Sequence, residues 1–204
     1  MRELILGGVR SGKSSLAERL ALDSGLAVTY IATARADDGE MRERIRHHQA
    51  RRPASWDLVE VGPELAAALA VRAAVDRCLL VDCLTLWLTG LLGPATNATS
   101  AASPPTEQNL ERQVRPARSV DSRPAREIKA LLDLLPQLPG RIIMVSNESS
   151  LGIVPMGELT RRFCDESGRL HQRLAQICDR VVLTVAGLPH VLKETGGGMH
   201  SLDP

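Results

Sequence analysis

Along the chain, short and nearly continuous apolar runs alternate with longer segments in which apolar residues return every three or four positions. The first pattern fits strands buried on both faces, and the second fits helices with one buried stripe. Runs at 4–6, 27–32, 58–61, 78–82, 141–146 and 180–186 therefore read as strands. Helical spacing follows the first run as far as Ser24-Gly25 and recurs at 40–49, 63–75, 84–92, 127–135 and 158–178, with a break expected at Ser167-Gly168. Pro53 closes the helix before it, and a Gly187-Leu188-Pro189 turn points to a final hairpin. Strands that alternate with helices predict an α/β fold of three layers, with a mostly parallel sheet and an antiparallel hairpin at its edge.

Two stretches fall outside this rhythm. Residues 93–124 turn to Pro, Ser, Thr, Ala, Asn and Gln with no apolar period, and 195–204 is glycine-rich. Both are read as flexible, the first as an insertion and the second as a tail. The remainder of the 204 residues, 44% of them hydrophobic, is enough for one core. A single nucleotide-binding domain spanning 1–204 is expected.

The nucleotide expectation comes from the first strand, which runs into Gly7-Gly8-Val9-Arg10-Ser11-Gly12-Lys13-Ser14 and then into a helix. This is the P-loop pattern in its required strand-to-helix setting, so the fold is expected to be P-loop NTPase-like. Glycines at both ends let successive N–H groups converge on an anion, at the positive end of the helix dipole. Lys13 is expected to reach the β- and γ-phosphates and Ser14 to ligate Mg²⁺. Only three of the 25 basic residues are lysines, namely Lys13, Lys129 and Lys193, which makes the lysine at the motif position more telling. Asp82, at the end of a buried strand, is a second candidate near Mg²⁺, or alternatively a cap on the helix that follows.

Charge and composition narrow the partners. A net charge of +1 and an aromatic content of 2% leave neither a basic field nor stacking platforms for nucleic acid. No uncharged apolar stretch reaches the length of a membrane span, and no signal-peptide pattern opens the chain, so a cytoplasmic protein is expected. Cys78, Cys83, Cys164 and Cys178 show neither zinc-ligand spacing nor a disulfide framework and read as reduced thiols. Trp56 and Trp87 read as packing groups.

A second cluster lies on the helix predicted at 40–49. At helical spacing Met41, Ile45 and His48 share one face while His47 points away. Arg44, Arg51 and Arg52 surround His48, an arrangement suited to holding phosphate oxygens while an imidazole nitrogen attacks phosphorus. A solvated basic helix end is the other reading. Asn147-Glu148 follows a buried strand at the sheet edge where such folds place ligands, with a turn or capping role as the alternative. His171 could make a polar contact or a substrate contact.

Taken together, Gly7 to Ser14, Tyr30-Ile31-Ala32-Thr33-Ala34, and the spacing Arg44-Ile45, His48, Arg52-Pro53, Trp56 and Glu60 resemble a known family. It is that of the bifunctional adenosylcobinamide kinase and adenosylcobinamide-phosphate guanylyltransferase of cobalamin biosynthesis. Val81 to Thr89 and Ser146-Asn147-Glu148 with Gly152-Ile153-Val154-Pro155 are similar to further signatures of that family. The resemblance implies phosphorylation of adenosylcobinamide, then transfer of GMP from GTP to the product through a GMP-histidine intermediate at His48. It implies GTP contacts from Gly7, Gly8, Val9, Arg10, Ser11, Gly12, Lys13 and Ser14, from Ala32, Thr33 and Ala34, from Gln49, Ala50, Arg51 and Arg52, and from Glu60 and Asp82. Mg²⁺ as cofactor, GTP or ATP as phosphoryl donor, a corrinoid partner and a homotrimer are implied in the same way. The chain departs from the family pattern at Val9, Gly90, Ser149-Ser150 and His171. A P-loop kinase of another metabolite, or a nucleotide-dependent switch, are the competing readings; the absence of an N-K-x-D guanine-reading motif weighs against the switch.

Overall fold

The computed structural model describes residues 1–33, 53–93 and 122–195. Seven strands form one sheet: β1 (Arg2–Gly7), β2 (Ala27–Ala32), β3 (Asp57–Glu60), β4 (Arg77–Asp82), β5 (Arg141–Asn147), β6 (Arg180–Val185) and β7 (Leu188–Glu194). Their order is β3-β2-β4-β5-β1-β6-β7, parallel throughout except for the β6–β7 pair. The expected mostly parallel sheet with an antiparallel edge is what forms.

Helices cover both faces of the sheet. α1 (Lys13–Leu22) packs Ala17 and Ala21 against Ile5, Tyr30, Leu80, Ile143 and Val145. The opposite face carries α2 (Leu65–Arg72), α3 (Leu84–Leu92), α4 (Arg123–Leu134) and α5 (Glu158–Ile177), which bury Leu69, Leu88, Leu131 and Leu174 against Leu4, Leu79, Ile142 and Met144. Successive strand residues thus enter different halves of the core, which is why the strands read as continuous apolar runs. A fully buried leucine or isoleucine contributes about 1.5–3 kcal/mol relative to an exposed one.

Three expectations are corrected. The helix expected from residue 127 begins at Arg123, because Ser122 caps it by accepting from the Ala125 N–H and a proline is favourable in a first turn that needs no N–H. The break expected at Ser167-Gly168 does not occur. α5 is continuous there, with Ser167 on its buried face and room beside Gly168. The hairpin turn is Ala186-Gly187, where φ values of 51° and 81° suit a two-residue turn of matching twist. Pro189 lies one step into β7, an edge strand that tolerates its missing N–H. The helix expected at 40–49 lies outside the described residues, as do 94–121 of the expected insertion and 196–204 of the tail.

Candidate active site

The parallel strands end at one edge of the sheet, and register aligns the ends: Gly7 with Asn147, and Ala32 with both Glu60 and Asp82. The loop from Gly7 to Ser14, Ala32, Thr33, Glu60, Asp82, Asn147 and Glu148 lie along this edge.

Between β1 and α1 the chain makes a closed loop. Arg10 (φ 57°) and Gly12 (φ 93°) take left-handed conformations, and the Ser11 N–H donates to the Gly8 carbonyl at 3.2 Å. The β6–β7 turn braces the loop from below, with the Gly187 N–H donating to Ser11 O at 2.9 Å. Gly7 is obligatory, because a Cβ there would stand 2.6 Å from the backbone oxygen of Thr184. α1 opens with neither a side-chain cap nor an acidic residue in its first turn, so its leading N–H groups remain available to an anion. Ser11 Oγ is buried with no hydrogen-bond partner among the described residues.

The Lys13 ammonium lies back across the loop and donates to Gly8 O at 3.0 Å. Burial pushes its pKa below the usual lysine value, an effect opposed by the nearby Cys83 and Asp82. A carbonyl is a weaker partner for a desolvated ammonium than a phosphate oxygen, so the lysine is free to exchange one for the other.

Asp82 alternates with Val81, which packs on the opposite face, and so lies on the α1 side like Leu80 two residues before it. Its Oδ2 accepts from the Tyr30 hydroxyl at 2.8 Å. The capping alternative is not realised: Cys83 occupies the position before α3, and no side chain caps that helix. Thr33 ties the ends of β2 and β4 together, its hydroxyl donating to Cys83 O at 2.6 Å and accepting from Cys83 N–H at 2.9 Å. Glu60 is exposed at the end of edge strand β3.

On the other face, Asn147 and Glu148 leave β5 beside the loop, and the Glu148 N–H donates to Gly7 O at 3.0 Å. His171 comes to the same place from α5, with Nε2 2.8 Å from Ser146 Oγ and Nδ1 3.7 Å from Glu148 Oε2. Burial lowers the His171 pKa and Glu148 opposes the shift, so the ring is neutral near pH 7. The Ser146–His171 contact was not anticipated from sequence; the signal available was the spacing of Ser167, His171 and Leu174, which puts all three on the buried stripe of α5. The segment that follows leaves Leu151, Ile153, Val154 and Met156 exposed.

The remaining candidates sort simply. Trp56 stacks on Tyr30 with ring centroids 6.4 Å apart, and buried Trp87 donates its indole N–H to Pro63 O at 2.8 Å. Burial raises the thiols of Cys78 and Cys83 to about 11 and that of Cys178 to about 12, which makes them unreactive core groups. Ala34, His48, Gln49, Ala50, Arg51 and Arg52 lie outside the described residues. Among the described residues, no helix is long and apolar enough to cross a membrane.

Comparison with known proteins adds an independent line. The family model for "Cobinamide kinase / cobinamide phosphate guanyltransferase" matches residues 3–192. A Pseudomonas aeruginosa protein named "Bifunctional adenosylcobalamin biosynthesis protein CobP" is 55% identical over 193 residues, covering 95% of this chain and 98% of that protein. A Salmonella typhimurium protein named "Bifunctional adenosylcobalamin biosynthesis protein CobU" is 37% identical over 188 residues, covering 92% and 97%. An Escherichia coli protein of the same name is 34% identical over 188 residues, again covering 92% and 97%.

Proposed function

The chain belongs to the cobinamide kinase / cobinamide phosphate guanyltransferase family, and from that premise we propose how its residues divide the two reactions. The loop from Gly7 to Ser14 cradles the triphosphate of GTP, or of ATP in the kinase step, with Lys13 moving from Gly8 O to the phosphates. Supporting this reading are the uncapped start of α1 and the carbonyl that, among the described residues, is the partner of the Lys13 ammonium. Ala32, Thr33 and Glu60 lie along the same edge and are assigned to the nucleoside end. Ala34, Gln49, Ala50, Arg51 and Arg52 are assigned to GTP on the family resemblance.

Ser14 and Asp82 are the proposed magnesium ligands. A hydroxyl and a carboxylate are the hard oxygen donors this ion takes, and it commonly rests on one or two protein oxygens plus phosphates. The ion would neutralise charge on the phosphate oxygens. Tyr30 holds one Asp82 oxygen and so orients the carboxylate.

In the kinase half, the aminopropanol hydroxyl of adenosylcobinamide attacks the γ-phosphorus and diphosphate nucleotide leaves. In the second half, an imidazole nitrogen of His48 attacks the α-phosphorus of GTP, pyrophosphate leaves, and the corrinoid phosphate then takes GMP from the histidine. Splitting the transfer through a covalent intermediate implies ping-pong kinetics. The spacing of His48 ahead of Arg52-Pro53 is the observation that favours this residue over His47. A homotrimer in the cytoplasm, with a corrinoid as its only large partner, completes the proposal.

The single observation that carries the proposal is the glycine loop at the carboxyl edge of the sheet, with the Lys13 ammonium donating to Gly8 O at 3.0 Å and Asp82 ending the strand two places along the sheet. The test is product formation from adenosylcobinamide, Mg²⁺ and GTP, followed by chromatography and mass. Adenosylcobinamide phosphate and then adenosylcobinamide-GDP are expected from the wild type, with both at least about 100-fold slower in Lys13→Ala. Hydrolysis of GTP with no corrinoid product would contradict the proposal.

A further inference from the structure

Two carboxylates flank the loop from opposite faces of the sheet, and the account above uses only Asp82. β5 lies between β1 and β4, so the chain leaving β5 emerges between the phosphate cradle and the strand that carries Asp82. Glu148 is the first residue past that strand and is pinned to the root of the loop by its N–H bond to Gly7 O.

Its side chain, 15% exposed, is unusually well held for a residue after a strand. Oε1 accepts from the Ser150 N–H at 2.8 Å and from the Ser150 hydroxyl, and Oε2 faces His171 Nδ1. Behind the imidazole, Ser146 Oγ lies 3.3 Å from Thr85 Oγ1, which accepts from the Asn147 N–H at 2.7 Å. A chain of polar groups drawn from α3, β5 and α5 thus ends on one carboxylate at the mouth of the loop. Four residues from three elements are more than a simple turn requires. Among the described residues, this carboxylate has no arginine or lysine in an ion pair with it, so a proton acceptor is not neutralised by a permanent cation.

We propose that Glu148 accepts the proton of the attacking hydroxyl in the kinase half-reaction, with His171 and Ser150 as positioning residues that aim its carboxylate. This rests on the kinase reading above. As the alcohol oxygen forms its bond to the γ-phosphorus, its proton passes to Glu148. The bond from that phosphorus to the bridging oxygen breaks, and its electron pair leaves on the nucleoside diphosphate. The carboxyl group then returns the proton to solvent. A metal-bound Asp82 cannot serve as this acceptor, which separates the roles of the two carboxylates. Guanylyl transfer has a phosphate nucleophile that carries no proton to remove, so the assignment is specific to one of the two reactions.

That specificity supplies the test. The full-length wild type and Glu148→Gln are assayed for phosphorylation of adenosylcobinamide and, separately, for GMP transfer to adenosylcobinamide phosphate. The kinase kcat should fall about 100-fold or more while KM for the triphosphate moves less than about threefold. The ratio of kinase to transferase rate should fall by a similar factor, and Glu148→Asp should recover part of the loss. The acidic limb of the kinase pH profile should vanish in Glu148→Gln and shift in His171→Asn. A kinase kcat within about threefold of wild type, or equal losses in both reactions, would overturn the assignment. No corrinoid phosphorylation by the wild type would remove the kinase reading itself.

Discussion

The Tyr30 hydroxyl donates a 2.8 Å hydrogen bond to Oδ2 of Asp82. Tyr30 is buried in β2, opposite Leu80 in the register with β4, and its ring reaches two residues along the neighbouring strand to the carboxylate. Trp56 stacks on the same ring, so packing fixes the phenol and the phenol fixes Asp82.

If Asp82 is a magnesium ligand, Tyr30→Phe removes an orienting contact without removing a ligand. The Mg²⁺ concentration for half-maximal kinase activity should rise about tenfold, with kcat at saturating Mg²⁺ largely retained. A magnesium titration of the initial rate checks this.

At the opposite end of the sheet, fully buried Glu3 is held by Arg141 at 2.6 Å and approached by Arg180 at 3.6 Å. Both arginines retain some solvent exposure, but the carboxylate has none. Arg141→Met leaves a buried charge with one distant partner and should cost about 3 kcal/mol. Glu3→Gln leaves cations that can turn to water and should cost less, about 1–2 kcal/mol. Urea denaturation of the two variants checks the order.

His171 makes stability depend on pH. Burial places its folded pKa below the ordinary 6.5, so the unfolded chain binds a proton that the folded chain resists. This contribution is fully present above 6.5 and is lost as pH falls from there through the folded pKa. The denaturation midpoint of the wild type should therefore drop between about pH 7 and about pH 5 by more than that of His171→Asn, which lacks the titrating group. Parallel slopes in the two proteins would remove His171 as the source.

The inner strands were legible in the sequence because they are buried on both faces, so a run such as Leu79-Leu80-Val81 carries no polar interruption, whereas the edge strands β3 and β7 are largely exposed. The phosphate loop was legible because its glycines answer local backbone demands, as Gly12 does with its left-handed φ of 93°. Helix boundaries were read less well where two local signals compete. Pro124 was read as a loop residue although a first helical turn accommodates it, and Gly168 as a break although the buried stripe around it holds α5 together. The network around Glu148 was not legible, because its members are distant in sequence: His171 meets Ser146 across 25 residues, and Ser146 meets Thr85 across 61. Such contacts follow from strand order, which periodicity does not report.

The central claim is that this chain carries GMP on His48. The direct measurement is to incubate the protein with Mg²⁺ and GTP labelled in either the α- or the γ-phosphate, denature it, and follow label on the polypeptide. The account predicts label from α-labelled GTP only, stable in base and labile in acid as a phosphoramidate is, absent in His48→Ala, retained in His47→Ala, and discharged by adenosylcobinamide phosphate. Equal labelling in His48→Ala, or no label on the wild type that turns GTP over, would contradict it.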